Sequence, residues 1–154
     1  MPARIVYLRP DRHSYINTDV PFNRSIDQIK KMLIQNGCSR IIVQEDLRGK
    51  IPIYILGFER DQLPYIIEFP VVYERLKGGE RLRMDLSGRI IHDRVKALLI
   101  EVEINASPFS AAMLQFMAIR DQSTGQITQM ENYIISNSGK ISTPALFLTG
   151  IGGQ

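Results

Sequence analysis

The amino-acid sequence predicts an α+β fold, in which a three- to four-stranded, mainly antiparallel sheet packs against helices. The chain of 154 residues, with 44% hydrophobic and 23% charged side chains, has the length and composition of one ordinary globular domain. Strand-like segments follow one another closely in its first half, whereas apolar residues recur at helical spacing in its second half. The expected element order is β-α-β-β-β-α-α. We expect a single domain over residues 1–135 and a C-terminal extension, an arm or tail, over residues 136–154.

The first elements are a strand, a loop and a helix. Residues 3–8 are apolar and rich in β-branched side chains, which predicts a strand. Residues 9–24 contain prolines and several charges, which indicates a long loop. Ser25 is a favourable N-cap residue, apolar side chains then recur at helical spacing, and Gly37 follows as a stop signal. We therefore expect a helix over residues 25–36.

Three further strand candidates follow this helix in close succession. Each is short and apolar, and they cover residues 40–46, 51–59 and 63–69. Short links join neighbouring antiparallel strands, so the three segments predict a meander. Apolar side chains on both faces of the second segment predict a central strand covered on both sides. Pro64 and Pro70, near the two ends of the third segment, predict an edge strand.

The second half of the chain predicts two helices. Residues 70–87 are rich in charge and glycine and indicate an irregular segment. Apolar residues then recur at helical spacing over residues 88–104. Pro108 follows a serine that suits the N-cap position, which predicts a second helix over residues 107–120. Residues 126–135 fit a helix and a strand equally well.

The composition excludes several kinds of site. The single cysteine, Cys38, leaves neither an internal disulfide nor a cysteine-based zinc site, and we expect it to be a packed residue. The two histidines, His13 and His92, lack the carboxylate spacing of a metal site. Apolar runs are shorter than the ~20 residues that cross a bilayer, and the apolar stretch before Arg9 is too short for a secretory signal, so we expect neither feature. We expect a cytoplasmic protein without a membrane segment or a cofactor.

Basic residues are unevenly distributed along the chain. Residues 1–31 carry six Lys or Arg against three acids, residues 74–96 carry seven against four, and the remaining residues carry six against nine. We expect the two basic segments to lie on one side of the sheet, with the first strand beside the meander, and to contact nucleic-acid phosphates. The residues expected to bind, as exposed side chains, are Arg9, Arg12, Arg81, Arg83, Arg89 and Lys96.

Aromatic side chains near some of these charges are a second feature. Tyr7, Tyr54 and Phe58 lie on predicted strands close to arginines. Rings on the face of a sheet stack on nucleobases in several nucleic-acid-binding domains. The same rings also suit a hydrophobic core, and the basic residues also suit an ordinary solvated surface. Both interpretations stay open.

Two other functions are compatible with the sequence. The segment 88–120 carries an apolar stripe that includes Met113 and Met117, which fits a small structural protein that forms homo-oligomers. His92 lies among several arginines, an arrangement that suits acid–base chemistry on phosphates. The leading hypothesis is a non-enzymatic nucleic-acid-associated or accessory protein.

Five segments of the chain carry a family resemblance: Phe22-x-x-Ser25 before a helix, Gly37-Cys38-Ser39-Arg40-Ile41, Pro64-Tyr65-Ile66-Ile67, residues 89–103 and residues 116–125. Together they resemble uncharacterised proteins of prophages and other mobile elements. The likeness covers most of residues 20–126. It implies a mobile-element context, and it assigns no role to any residue.

Overall fold

The computed structural model describes residues 4–8 and 18–137, which form short strands and helices. The first strand, β1, is Ile5–Leu8, and the first helix, α1, is Phe22–Gln35. The following strands are β2 Ser39–Asp46, β3 Ile53–Arg60, β4 Leu63–Glu68, β5 Val71–Leu76 and β6 Gly79–Leu82. The later elements are α2 Met84–Glu103, α3 Phe109–Ala112, a 3₁₀ turn Leu114–Phe116, β7 Ala118–Arg120, β8 Ile127–Gln129 and α4 Met130–Asn137. The combination of mainly antiparallel strands with helices confirms the predicted α+β class.

The predicted meander is present as an antiparallel sheet in the order β2-β3-β4. β3 is the central strand and β4 lies at an edge, as predicted. One face belongs to the core, where Leu56 and Phe58 of β3 and Tyr65 and Ile67 of β4 are buried. The opposite face is less covered, since Ile55 of β3 is only half-buried. The predicted full cover on both sides of this strand is therefore wrong.

The charged segment 70–87, expected to be irregular, forms a β-hairpin. β5 pairs antiparallel with β6 around Gly78, whose φ of +114° is a conformation that favours glycine. β5 also pairs in parallel with β1, so the second sheet has the order β1-β5-β6. The first strand thus lies beside this hairpin, which corrects its predicted position beside the meander. Helix α2 begins at Met84, immediately after the hairpin.

Helices α1 and α2 share one core with the inner face of the meander. α1 begins at Phe22, three residues before the predicted start, with Pro21 at the N-cap position. Ser25 is therefore not a cap but a buried residue of the first turn. The two helices approach closely at Gly88 of α2, where a Cβ atom would lie 2.8 Å from Cδ2 of Phe22. Glycine permits this close contact between the helices.

The predicted helix over residues 107–120 is wrong beyond its first turn. α3 begins at Phe109 with Pro108 at the N-cap position, one residue later than the sequence suggests, and the chain then forms the 3₁₀ turn and β7, which pairs with β8. Met113 and Phe116 are fully buried, so packing in the core, and not a continuous helix, determines the backbone of this stretch. The ambiguous segment 126–135 contains both kinds of element, first β8 and then α4.

Two predicted segments lie wholly or partly outside the described residues. They are residues 9–17 of the first loop and residues 138–154 of the C-terminal extension. Within the described part of the chain, no helix is both long and apolar enough to cross a membrane.

Candidate nucleic-acid interface

The sheet β1-β5-β6 carries two tyrosines side by side on one face. Side chains alternate between the two faces of a strand, and the parallel register places Tyr7 of β1 beside Tyr73 of β5. Their ring centroids are 6.0 Å apart and their planes are inclined by 27°, which is a stacked arrangement. Tyr7 is 43% exposed, and Tyr73 is half-buried. The pair of rings is therefore at the surface and not in the core.

A guanidinium and two aliphatic side chains complete this surface. The Cζ atom of Arg75 on β5 lies 4.5 Å from the centroid of the Tyr7 ring, within the range of a cation–π contact. Ile5 lies on the same side of β1 as Tyr7, and Leu82 of β6 lies opposite Tyr73. Both aliphatic side chains are exposed. We name these five residues the tyrosine platform.

The opposite face of the same sheet is packed against α2. Leu8 of β1 and Val72 of β5 are buried in a cluster with Leu86 of α2. The alternation of side chains along two strands therefore divides the sheet into a side that packs against α2 and a side that carries the platform, which is exposed at the tyrosines but covered at Val71 of β5.

Two of the predicted arginines, Arg81 and Arg83, are bound by carboxylates on the helix side of this sheet. Arg83 donates from Nη1 to Glu74 Oε2 at 3.0 Å and from Nε to Asp85 Oδ1 at 3.0 Å. Arg81 donates from Nη2 to the same oxygen of Glu74 at 2.7 Å. Arg83 is only 7% exposed, so its predicted exposure is wrong, whereas Arg81 is exposed as predicted.

These contacts shift the pKa values of the residues that form them. Hydrogen bonds from Arg83 lower the pKa of the Glu74 carboxyl. Burial raises the pKa of Asp85, but the hydrogen bonds and charge of Arg83 outweigh burial, so the resulting pKa is lowered. The hydrogen bond to Asp85 in turn raises the pKa of Arg83. All three groups are therefore charged at neutral pH, and Arg83 is a structural partner of two acids.

The other predicted binding residues do not join the platform. Arg89 lies on α2, with its Nη2 3.2 Å from Asp93 Oδ1, and it donates from Nη1 to Gln28 Oε1 of α1 at 3.1 Å. Lys96 is exposed on the same helix, about two turns further along. Two predicted residues lie outside the described part of the chain: Arg9 and Arg12.

Of the three aromatic residues expected to stack on bases, Tyr7 alone is well exposed. Phe58 is buried and stacks on Tyr65, with 5.1 Å between the ring centroids. Tyr54 packs edge-on against Phe22 of α1, with a centroid distance of 4.6 Å. Phe58 and Tyr54 therefore belong to the core of the meander, as the alternative interpretation held.

The sequence analysis missed Tyr73 and Arg75. A signal for them was present, because they are two residues apart in an apolar segment that Gly78 and Gly79 separate from a further short segment. This is the pattern of a hairpin strand with one open face. We assigned the segment to a loop because of its many charges.

The remaining reactive side chains of the described residues show no catalytic arrangement. His92 is buried, its Nδ1 lies 2.7 Å from Asp93 Oδ1, and it lines none of five cavities found among the described residues. This position does not favour the phosphate-handling enzyme considered above. Cys38 is also buried, and burial raises the pKa of its thiol to about 11. Within residues 4–8 and 18–137, no three metal-ligating side chains come together.

Comparisons of the chain with protein-family models, with curated proteins and with solved structures find no match. The resemblance to mobile-element proteins therefore stays a prediction. The case for a function depends on the geometry of the platform and of the hairpin beside it.

Proposed function

We propose that this protein is a non-enzymatic accessory protein that binds single-stranded nucleic acid through the tyrosine platform. The observation that carries the proposal is the surface pair Tyr7 and Tyr73, with the guanidinium of Arg75 over the Tyr7 ring. Proteins that bind single strands combine aromatic rings, on which bases stack, with cations that follow the phosphates. The family resemblance favours a role in a mobile element.

The hairpin β5–β6 supplies cations that can contact the phosphates of a nucleic-acid strand. Residues 71–83 contain four basic side chains, of which Arg83 is buried, and two acidic side chains. Arg75 and Lys77 are exposed at the tip of the hairpin, and Arg81 keeps 57% of its side chain exposed although it contacts Glu74. A nucleic-acid strand stacked on the platform would run beside Arg75 and Lys77, whereas Arg81 lies with Glu74 on the opposite face of the sheet. Binding should therefore weaken as the salt concentration rises, because phosphate contacts release counterions.

Fluorescence anisotropy with a labelled single strand of about 12 nucleotides at ~50 mM salt tests this proposal. Tyr7→Ala and Tyr73→Ala should each weaken binding by about 5- to 100-fold, because stacking contributes ~1–3 kcal/mol per base. Tyr7→Phe retains the ring and should bind like the unaltered protein. The control is Tyr133→Ala on α4, a half-buried tyrosine away from the platform, which should change the affinity by less than about twofold.

Further arms of the same experiment test the mode of binding. A duplex of the same sequence should bind more weakly, because its bases are paired and stacked on one another. Arg75→Ala should reduce the slope of affinity against salt by about one unit. The absence of binding at tens of micromolar protein would contradict the proposal. Equal effects of Tyr7→Ala and Tyr133→Ala would contradict it as well.

A homo-oligomeric structural protein is the second candidate, and one feature next to the segment 88–120 favours it. An apolar groove of about 420 Å³ lies between α3 and α4, and its lining includes the exposed side chains Leu114, Ile134 and Ile135. Clustered exposed apolar residues are typical of subunit contacts. Light scattering tests this function. A dimer would support this function if Ile134→Glu disrupts it and the control Ile34→Glu on α1 does not. A monomer at high protein concentration would exclude it.

A further inference from the structure

A partly enclosed cavity of about 180 Å³ lies on the side of β1 that faces away from the platform. It is bounded by β1, β5, the end of β4, α2 and the junction of β8 with α4. Its floor is apolar and includes Val6 of β1, Val72 of β5 and Ile90 and Ile91 of α2. The rest of its lining is mostly charged or polar. A cavity with an apolar floor and a few convergent polar groups is typical of small-ligand sites.

One wall of the cavity is a hydrogen-bonded set of polar side chains. The backbone N–H of Glu68 donates to Gln129 Oε1 at 2.9 Å, and Thr128 Oγ1 donates to Glu68 Oε1 at 2.9 Å. Asn132 Nδ2 donates to the other carboxylate oxygen of Glu68. Gln129 Nε2 donates to Glu131 Oε2 at 3.0 Å. These bonds fix the orientation of each group, so the wall is organised before a ligand binds.

Two arginines lie across from the carboxylates of this wall. Arg94 donates from Nη2 to Glu131 Oε2 at 2.7 Å and to Gln115 Oε1, and its Cζ lies 5.1 Å from the centroid of the Phe116 ring. Arg4 is exposed at the start of β1 and also lines the cavity. Two cations and two carboxylates balance one another, so the cavity suits an uncharged ligand. A guanidinium has five N–H donors and a carboxylate about four acceptor positions, which leaves capacity for further hydrogen bonds.

The size of the cavity selects the kind of ligand. A cavity of about 150 Å³ in a protein core holds benzene, so one of about 180 Å³ accommodates a single six-membered ring with small substituents. The apolar floor suits the faces of such a ring. The amide, carboxylate and guanidinium groups suit a ring edge that carries both donors and acceptors. Enzymes that act on an extruded base recognise its edge through hydrogen bonds of this kind.

We propose that this cavity takes the base of a pyrimidine nucleotide. The inference rests on the proposed binding of single strands. β1 is an edge strand of its sheet, with Tyr7 and Ile5 on the platform side and Val6 and Arg4 on the cavity side. This edge of β1 pairs with no second strand among the described residues. A nucleic-acid strand that stacks on Tyr7 reaches the cavity by passing around it, and the cavity adds a preference for pyrimidines to stacking that tolerates any base.

A direct test uses ¹H–¹⁵N spectra of the full chain titrated with cytidine, uridine or adenosine at millimolar concentration. We expect the side-chain amide signals of Gln129 and Asn132 to shift with cytidine or uridine and to stay in place with adenosine. No shift with any nucleoside, or equal shifts with all three, overturns the cavity proposal. Neither result contradicts the proposed binding at the tyrosine platform, because the oligonucleotide measurements above test that binding separately.

The second test compares single strands of one base each. The unaltered protein should bind oligo(dC) or oligo(dT) about tenfold more tightly than oligo(dA), a discrimination typical of a difference in ligand size. Ile90→Phe fills the cavity and should reduce this preference to less than about twofold while the protein still binds single strands. Tyr7→Ala should weaken binding to all the strands alike and keep the preference. Equal affinities for the three strands in the unaltered protein overturn the cavity proposal, and the absence of any binding overturns the proposed function too.

Discussion

Replacement of Arg83 by alanine should destabilise the fold far more than replacement of Arg81. Both guanidiniums contact the same oxygen, Glu74 Oε2, at 3.0 Å and 2.7 Å respectively. Their surroundings differ, because 8% of the Arg83 side chain is exposed but 57% of the Arg81 side chain. Arg83 also holds Asp85. The two variants therefore compare a buried with an exposed partner of one carboxylate.

The size of the effect follows from burial. Removal of one partner from a buried ion pair costs about 3–5 kcal/mol, because the remaining charge is left without compensation. The lower end, about 3 kcal/mol, applies to Arg83→Ala, because Glu74 keeps its hydrogen bond from Arg81 and because the Asp85 side chain is 30% exposed and can be solvated by water. An exposed ion pair contributes about 0.2–1 kcal/mol, which is the loss expected for Arg81→Ala.

Urea denaturation followed by circular dichroism measures both losses. With a slope of about 2 kcal/mol per molar urea, Arg83→Ala should lower the midpoint by about 1.5 M and Arg81→Ala by less than about 0.5 M. Arg83→Met retains part of the aliphatic packing and separates the loss of charge from the loss of volume. Free energies of unfolding that agree within about 0.5 kcal/mol for the two alanine variants would refute the structural role of Arg83.

Acid should reveal the same interaction. The folded-state pKa of Glu74 is lowered, chiefly by the hydrogen bond from Arg83. A carboxyl with a lowered folded-state pKa adds stability above its unfolded-state pKa, and this stability is lost as the pH falls through the folded-state value. The free energy of unfolding should therefore decline below about pH 4.5, the ordinary pKa of a glutamate. Arg83→Ala should make this decline shallower, and parallel curves for the two proteins would contradict the assignment.

Two further substitutions and one chemical labelling experiment test the packing of the core. Gly88→Ala should destabilise the fold by about 1 kcal/mol, because the added Cβ would lie 2.8 Å from Cδ2 of Phe22 and this clash exceeds the gain in helix propensity; thermal unfolding measures it. Ser87→Ala should be neutral or stabilising by up to about 1 kcal/mol, because its buried hydroxyl has no hydrogen-bond partner among the described residues. Cys38 should react with a thiol reagent at pH 8 about a hundredfold more slowly in the folded than in the unfolded chain, because burial raises its pKa from 9.0 to about 11. Equal labelling rates, followed by absorbance, would contradict that burial.

Local patterns were sufficient to predict the first half of the fold. α1 combines helical spacing with a glycine stop, and its predicted span differs from the observed one by a few residues at the start. The meander combines apolar strands with short links, and β3 is central as its two apolar faces predict. In these elements the propensity of the segment, its period and its turns all favour the same structure.

The rest of the fold depends on contacts between distant parts of the chain. The parallel pairing of β1 with β5 joins Ile5 to Val71, and no local pattern reports such a partner. The hairpin β5–β6 was missed because its open face carries charges, which a local analysis assigns to a loop. The segment 107–120 was overpredicted as helix because Met113 and Phe116 fit a helical repeat, although tertiary packing places them in an irregular stretch of the core.

In the candidate interface, too, local patterns predicted only the features that do not depend on distant parts of the chain. Tyr7 was identified from its own strand, whereas its neighbour Tyr73 is distant in sequence and was not. Arg83 was expected to be exposed because arginine usually is. Its burial follows from Glu74 and Asp85, which the hairpin and the start of α2 bring to the same point. A charged residue can therefore be assigned to a binding surface only after its partners in the fold are known.

Stability and binding should respond differently to substitution of the platform, and this difference separates a structural from a functional role. A cross-strand aromatic pair contributes about 0.2–1 kcal/mol to a sheet, and Tyr7 stays 43% exposed. The burial that stabilises this sheet comes from Leu8 and Val72 on the other face and from Val71 at the start of β5. Tyr7→Ala should therefore lower the free energy of unfolding by about 1 kcal/mol or less, in urea denaturation, while it weakens single-strand binding by about 5- to 100-fold. A loss of several kcal/mol in stability with unchanged binding would mean that the ring serves the fold, and it would count against the platform as a binding surface.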